Sequence, residues 1–134
     1  MATNDQLIAR ALRMLTILDH NESPDPVQSA NGLAALNAML ARWGEDVIAL
    51  GWSAQTSGSA TAPIPASADT AVVSNLACEY GVEFGIEIPA RIASLADGGR
   101  LALQRDSIKT TLEPSDTSHL PNGSGRRYDI NSDS

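Results

Sequence analysis

The feature that most constrains the fold is an apolar stripe through residues 27–50. Its members recur at steps of three and four residues, the spacing of neighbours on one side of an α-helix; they are Val27, Ala30, Leu33, Leu36, Leu40, Trp43, Val47 and Leu50. The stripe predicts one helix of about 24 residues, or roughly 36 Å. Asp25, Pro26 and Gln28 fit an N-cap, a first-turn proline and a capping-box partner, and Gly51 is the predicted stop.

A shorter helix is predicted ahead of this one, over residues 3–18. Thr3 and Gln6 fit a capping box, in which the threonine hydroxyl accepts from the glutamine amide and the glutamine side chain reaches back. The inward face repeats at the same three- and four-residue steps: Leu7, Ile8, Ala11, Leu12, Leu15 and Leu18. The turn-forming residues 19–24 end this helix.

Two more helices are predicted in the second half of the chain. Asp69 is the predicted N-cap of the third helix, which Gly85 ends. Pro89 is predicted as the first residue of the fourth, whose inner face holds Ile92, Leu95, Ala96, Leu103 and Leu112. Gly98 and Gly99 interrupt the fourth helix, and the sequence leaves open either a kink or the close approach of a neighbouring backbone.

These segments predict an all-α fold: a small helical bundle of about four helices, with a long loop between helices 2 and 3 and an extended C-terminal arm. The apolar fraction is 43% but aromatic residues make up only 4%, so we expect a mainly aliphatic core. Its predicted centre is Leu36, Leu40, Trp43 and Leu76. We expect a helical domain over residues 1–112 and an arm over residues 113–134, where polar and turn-forming residues dominate.

The long loop, residues 51–68, is rich in Ser, Thr, Gly, Ala and Pro. A connection of this length inside one domain is unusual and is often functional. Its large apolar residues are Trp52 and Ile64, and it contains no Lys or Arg. We therefore expect it to lie on the surface rather than in the core.

Composition and charge exclude several classes of protein. Nine Lys plus Arg against sixteen Asp plus Glu give a net charge of −7, which argues against a protein that grips nucleic acid phosphates or an anionic membrane. Cys78 is the only cysteine, so an internal disulfide and a cysteine-based zinc site are excluded; we expect it to be a small buried side chain in a protein of the reducing cytosol. No secretory signal is recognisable at the start, and no apolar run approaches the ~20 residues that span a bilayer.

Few residues suggest chemistry. Glu79, Glu83 and Glu87 stand at four-residue spacing, which on one continuous helix would align three carboxylates as in a glycosidase or a hard-cation site; a solvated acidic face is the simpler interpretation. His20 and His119 have no metal-ligand partner at helical spacing. We expect no catalytic residue, metal or cofactor, and keep two alternative functions, a peptidoglycan-degrading enzyme and a small DNA-binding regulator.

The order of several segments is typical of one family. The chain carries LIARALRMLTIL, a proline-bearing turn, GLAALNAMLARWGEDVIALGW, SNLACEY and, in the polar tail, LPNGSG. In this order they resemble the head-to-tail adaptor proteins of tailed bacteriophages, in particular the tail accessory, or packaged-DNA-stabilisation, factor of short-tailed phages. The resemblance runs from Leu7 to about Gly125, and its most specific stretches are Leu36–Leu40 with Trp43, Asn75–Ala77, and Pro121 with Gly123–Gly125.

The resemblance implies a structural adaptor of the virion rather than an enzyme. It implies a homo-oligomeric ring of about twelve copies, made in the host cytoplasm and placed on the portal protein ring at the head-tail interface. Such a ring seals packaged double-stranded DNA, which passes through its lumen, and is a platform for the tail or nozzle protein below. It also implies a portal-binding arm, whose residues here are Leu120, Pro121, Asn122, Gly123, Ser124, Gly125, Arg126, Arg127 and Tyr128.

Overall fold

A computed structural model describes residues 1–111, with side chains up to residue 109. Four α-helices follow one another along this part of the chain: α1 (Asn4–Met14), α2 (Pro26–Glu45), α3 (Asp69–Glu83) and α4 (Ala90–Thr111). A short 3-10 helix (Ala66–Ala68) leads into α3. The described residues contain no strand, only one isolated bridge between Thr3 and Thr61. The prediction of a small all-α fold with four helices is confirmed.

Helix α1 starts as predicted and ends early. The Gln6 amide donates to the Thr3 hydroxyl at 3.2 Å, and the Thr3 amide donates to the Gln6 side chain at 2.9 Å. The helix stops at Met14 instead of continuing to residue 18, because Thr16 takes a left-handed conformation with φ +60°. This turn still directs Leu18 into the core, where it is buried.

Helix α2 also has the predicted start and a wrong predicted end. The Asp25 carboxylate accepts from the Gln28 amide at 2.7 Å, and the Gln28 side chain accepts in return from the Asp25 amide at 3.1 Å. The helix ends at Glu45 rather than at Gly51, since Val47 takes φ +64° and lies exposed. Because of this turn Ile48, rather than Val47, occupies the core.

The buried face of α2 differs from the predicted stripe in its first turns. Val27 and Ala30 are exposed, whereas Leu36 is fully buried. Successive steps of three residues each fall 60° short of a full turn, so nine residues from Val27 to Leu36 rotate the stripe to the opposite side of the helix. Gly32 takes the inward position near the start and packs against the Ile8 side chain of α1.

Helix α3 is the centre of the bundle. It packs against α1, α2 and α4, and α4 packs principally on α3. The predicted core centre lies buried at this junction: Leu36, Leu40, Trp43 and Leu76. Gly85, with φ +68°, follows the end of α3 as predicted. Asp69 is the first residue of α3 rather than its N-cap, since the 3-10 helix supplies the preceding turn.

Helix α4 begins one residue after its predicted start. The Pro89 carbonyl accepts from the amides of Ile92 and Ala93, so the helix itself begins at Ala90. The inner face is formed by Ile92, Ala96, Gly99, Leu103 and Ser107, which are buried or half-buried. Leu95 does not belong to this face: it is exposed, because it lies 100° around the helix from Ala96. Leu112 lies outside the described residues.

The long loop lies mostly on the surface, as expected, and is attached to the start of α1. The Asn4 amide donates to the Ala60 carbonyl at 3.0 Å and the Asp5 amide to the Gly58 carbonyl at 2.8 Å. First-turn amides of a helix have no partner within the helix, so the loop carbonyls satisfy them. Ala62 and Ile64 continue into the core and are buried.

Candidate interaction surfaces

The glutamate row of α3 does not form a site. Glu79 and Glu83 lie exposed on α3, while Glu87 follows the turn at Gly85. The Glu79 carboxylate pairs with Arg42 of α2 at the surface, where such pairs contribute little to stability. Among the described residues, no group of three or more His, Cys, Asp and Glu side chains could hold a metal ion. The simpler interpretation, a solvated acidic face, fits these positions.

The remaining candidates for chemistry are two histidines and the cysteine. His20 is exposed in the turn between α1 and α2, and His119 lies outside the described residues. Cys78 is half-buried rather than buried. Burial first, and then the carboxylates of Asp97 and Glu79, raise the pKa of the Cys78 thiol above its usual range. The thiol therefore stays protonated at neutral pH and is a weak nucleophile.

A polar network joins α1, α2 and the long loop. The Asn37 side chain accepts from the Gln55 amide and donates to the Gln55 carbonyl, both at 2.8 Å. The Gln55 side chain accepts in turn from the buried Asn4 amide group at 3.2 Å, and the Ser57 carbonyl accepts from the same group at 2.9 Å. This network gives the loop a defined path across the helices.

An apolar pocket of about 400 Å³ opens beside the C-terminal half of α2. It is lined mainly by Leu40, Trp43, Ile48, Leu50 and Trp52. The indole Nε1 of Trp52 is buried without a hydrogen-bond partner among the described residues. A buried donor of this kind is costly when it has no acceptor, so the chemistry of the pocket suits an apolar side chain next to a backbone carbonyl.

The outer face of α4 combines exposed apolar and basic side chains. Leu101 is 55% exposed and Ile108 43% exposed, and with Arg105 and Lys109 they line a shallow groove of about 330 Å³. The helix carries four basic residues against two acidic ones, a net charge of +2 in a chain of net charge −7. Sequence reasoning missed this face, although four of the nine cations of the chain fall within one predicted helix.

The outer face of α2 carries mainly small apolar side chains. It exposes Val27, Ala30, Ala34, Ala38 and Ala41, with the polar Asn31 and Arg42 exposed along one edge, and Arg42 is paired with Glu79 of α3. Val27 is 67% exposed, and carboxylates mark the two ends of the face, Asp25 before the helix and Glu45 at its last residue. The outer faces of α2 and α4 are both exposed, although the two helices touch near the end of α2, where Arg100 of α4 pairs with Asp46 at 2.6 Å.

The nine residues expected to bind the portal, Leu120–Tyr128, lie outside the described residues. No helix in the described part of the chain has both the length and the apolar composition needed to cross a membrane.

The chain is similar to a known protein family. A family model described as the P22 tail accessory factor matches residues 1–134, the whole of this sequence. No curated protein matches the chain.

Proposed function

The chain belongs to the P22 tail accessory factor family, and from this premise we propose that it is the head-to-tail connector of a bacteriophage virion. Membership establishes a structural, tail-related role associated with the virion. In the proposal, copies of the chain assemble as a ring on the portal, retain the packaged DNA and present a platform to the next tail protein.

The observation that carries this proposal is the extent of the match. The family model covers the helical body and the polar C-terminal segment together, so both parts belong to one functional unit. In the proposal, residues 1–112 form the contacts between subunits and residues 113–134 bind the portal. The described helices are consistent with the first part, since the bundle has a complete core and leaves helix faces uncovered.

The charge of the chain supports a lumen through which DNA moves. A net charge of −7 disfavours long-lived phosphate contacts, which depend on clusters of Lys and Arg. A connector needs DNA to slide past it and to be held back by closure of the channel. We propose no enzymatic activity and no sequence-specific DNA binding, because the glutamate row is solvated and the family role is structural.

The proposed arm has side chains suited to a protein groove. Leu120, Pro121 and Tyr128 would be buried against the portal as apolar anchors. Arg126 and Arg127 would form charge-assisted hydrogen bonds with portal carboxylates.

Deleting residues 113–134 tests whether the arm binds the portal while the helical body folds without it. The truncated chain should keep the circular dichroism of the helical bundle but add no mass to portal rings from the same phage. A second variant is the full chain with Arg126→Ala and Arg127→Ala. It keeps the three apolar anchors but loses the two cations, so it should bind the portal more weakly than wild type. Truncated chains that bind portal rings like wild type would overturn the assignment of the arm.

A further inference from the structure

Two glycines of the described helices face open space. A Cβ atom added to Gly44 of α2 or Gly98 of α4 would meet no atom within 4 Å, and neither residue has a positive φ. A glycine inside a helix costs about 1 kcal/mol relative to alanine. Gly98 lies in the interior of α4 and nothing in the packing of the subunit explains its cost, whereas Gly32, Gly81 and Gly99 each lie against a neighbouring residue.

Both glycines lie on exposed sides of their helices. Gly98 lies on the outer face of α4, one turn before Leu101 and two turns before Arg105. Gly44 lies beside Ala41 near the end of the outer face of α2. Solvent-facing helix sides usually carry charged residues, and exposed apolar faces mark contact sites. An exposed glycine on such a face lets another backbone approach closely.

These two faces do not meet within one subunit, because the residues that form them are exposed. They can meet between two copies. A contact between two different faces of the same chain is heterologous, so a pair of copies keeps one free face of each kind, one on each copy. Repetition of such a contact produces a ring when the rotation closes.

We propose that the outer face of α4 in one copy packs on the outer face of α2 in the next copy. Gly98 and Gly44 allow the two helices to approach closely, and Leu101 and Ile108 become covered. The inference rests on the proposed connector function, since it names the contact that repeats around the ring.

The charges at the ends of the two helices are complementary. Arg91 and Lys109 lie exposed about 27 Å apart along α4, and Asp25 and Glu45 lie about 30 Å apart along α2, at 1.5 Å per residue. When the helices lie alongside each other, each end of α4 therefore brings a cation to a carboxylate of α2. Two α4 faces would instead bring like charges together, and this disfavours a symmetric dimer through α4.

Cysteine cross-linking tests the contact in the full chain with Cys78→Ser. Ala34→Cys places a thiol on the α2 face, and Leu101→Cys places one on the α4 face. With a bismaleimide, a mixture of the two single variants should give a dimer, each variant alone should give none, and the chain with both substitutions should give a ladder of oligomers. A single variant that cross-links to itself, or a mixture that gives no dimer either in solution or on portal rings, overturns the proposal.

Gly98→Ala supplies a second readout that a folding defect cannot imitate. The substitution should raise the folding equilibrium constant about fivefold, as alanine does in an open helix position. It should weaken self-association, measured by sedimentation velocity, because the added methyl group separates the backbones. Leu95→Gln is the matched control, an exposed residue of α4 outside the outer face, and should leave association unchanged. A stabilised Gly98→Ala chain that associates like wild type contradicts the contact.

Failure of this contact is distinguishable from failure of the connector function. Chains that cross-link as expected but add no mass to portal rings would refute the connector and leave the contact standing. Chains that join the portal without forming the cross-link would refute the contact and leave the connector standing.

Discussion

Gly99 of α4 lies directly against Ala71 of α3. A Cβ atom at residue 99 would come within 2.8 Å of the Ala71 Cβ and 3.0 Å of its Cα. The backbones of the two helices therefore meet at this point, and α4 continues through the glycine pair to Thr111. Of the two roles left open for Gly98 and Gly99 by the sequence, the close approach applies to Gly99.

Gly99→Ala should destabilise the folded chain by about 1–3 kcal/mol, the usual cost of overpacking. The new methyl group has backbone on its other side, so α4 must move away from α3. Urea denaturation followed by circular dichroism measures the effect. Gly98→Ala, one residue away in open space, is the control and should stabilise the chain by up to about 1 kcal/mol; equal effects of the two substitutions would contradict the packing of α4 on α3.

Trp43→Ala should cost about 3–5 kcal/mol of unfolding free energy. The indole is only 2% exposed and belongs to the main core, so truncation leaves a cavity between helices. Chemical denaturation gives the value directly. A loss below about 1 kcal/mol would mean that Trp43 faces solvent or a partner.

Asn37→Ala should release the long loop from α2. The substitution removes both hydrogen bonds to the Gln55 backbone, so the Gln55 amide should exchange its hydrogen faster, with a stability loss of about 1–3 kcal/mol. Hydrogen exchange read by NMR resolves this amide. Asn31→Ala, at an exposed position of the same helix, should leave Gln55 exchange as in wild type; an unchanged rate in Asn37→Ala would contradict the network.

The Cys78 thiol should react slowly with iodoacetamide at pH 8. Its pKa is raised above its usual range by burial first and by Asp97 and Glu79 next, and the thiolate is the reactive form. Its alkylation rate in the folded chain should therefore rise at a higher pH than in the urea-unfolded chain. Because the unfolded thiol ionises first as the pH rises, its contribution also makes folding less favourable above about pH 9. Asp97→Asn should speed alkylation at pH 8; a rate equal to that of the unfolded chain would contradict the raised pKa.

The starts of α1 and α2 were predictable from sequence because their determinants are local. The capping boxes of Thr3 and Asp25 form within one turn, and each prediction is confirmed. The ends of the same two helices were not predictable, since they depend on packing beyond the last turn. The left-handed turns at Thr16 and Val47 end the helices and let Leu18 and Ile48 become buried in the core.

The candidate surfaces were less predictable than the core. Ile64 reaches the core because the carbonyls before it bind the first amides of α1, a long-range pairing that composition does not reveal. The outer face of α4 also could not be identified from the sequence without the structure. Leu95 and Leu101 look alike in the sequence, and only the packing on α3 distinguishes the flank from the outer face.

A connector that binds a portal ring adds its own mass to that ring, so the mass of the complex tests the proposed function. Purified full-length chain is mixed with portal rings from the same phage, and the particles are weighed by native mass spectrometry. We expect the mass of the ring to rise by one 14.0 kDa copy for each portal subunit. A portal ring whose mass is unchanged in the presence of excess folded chain would contradict it.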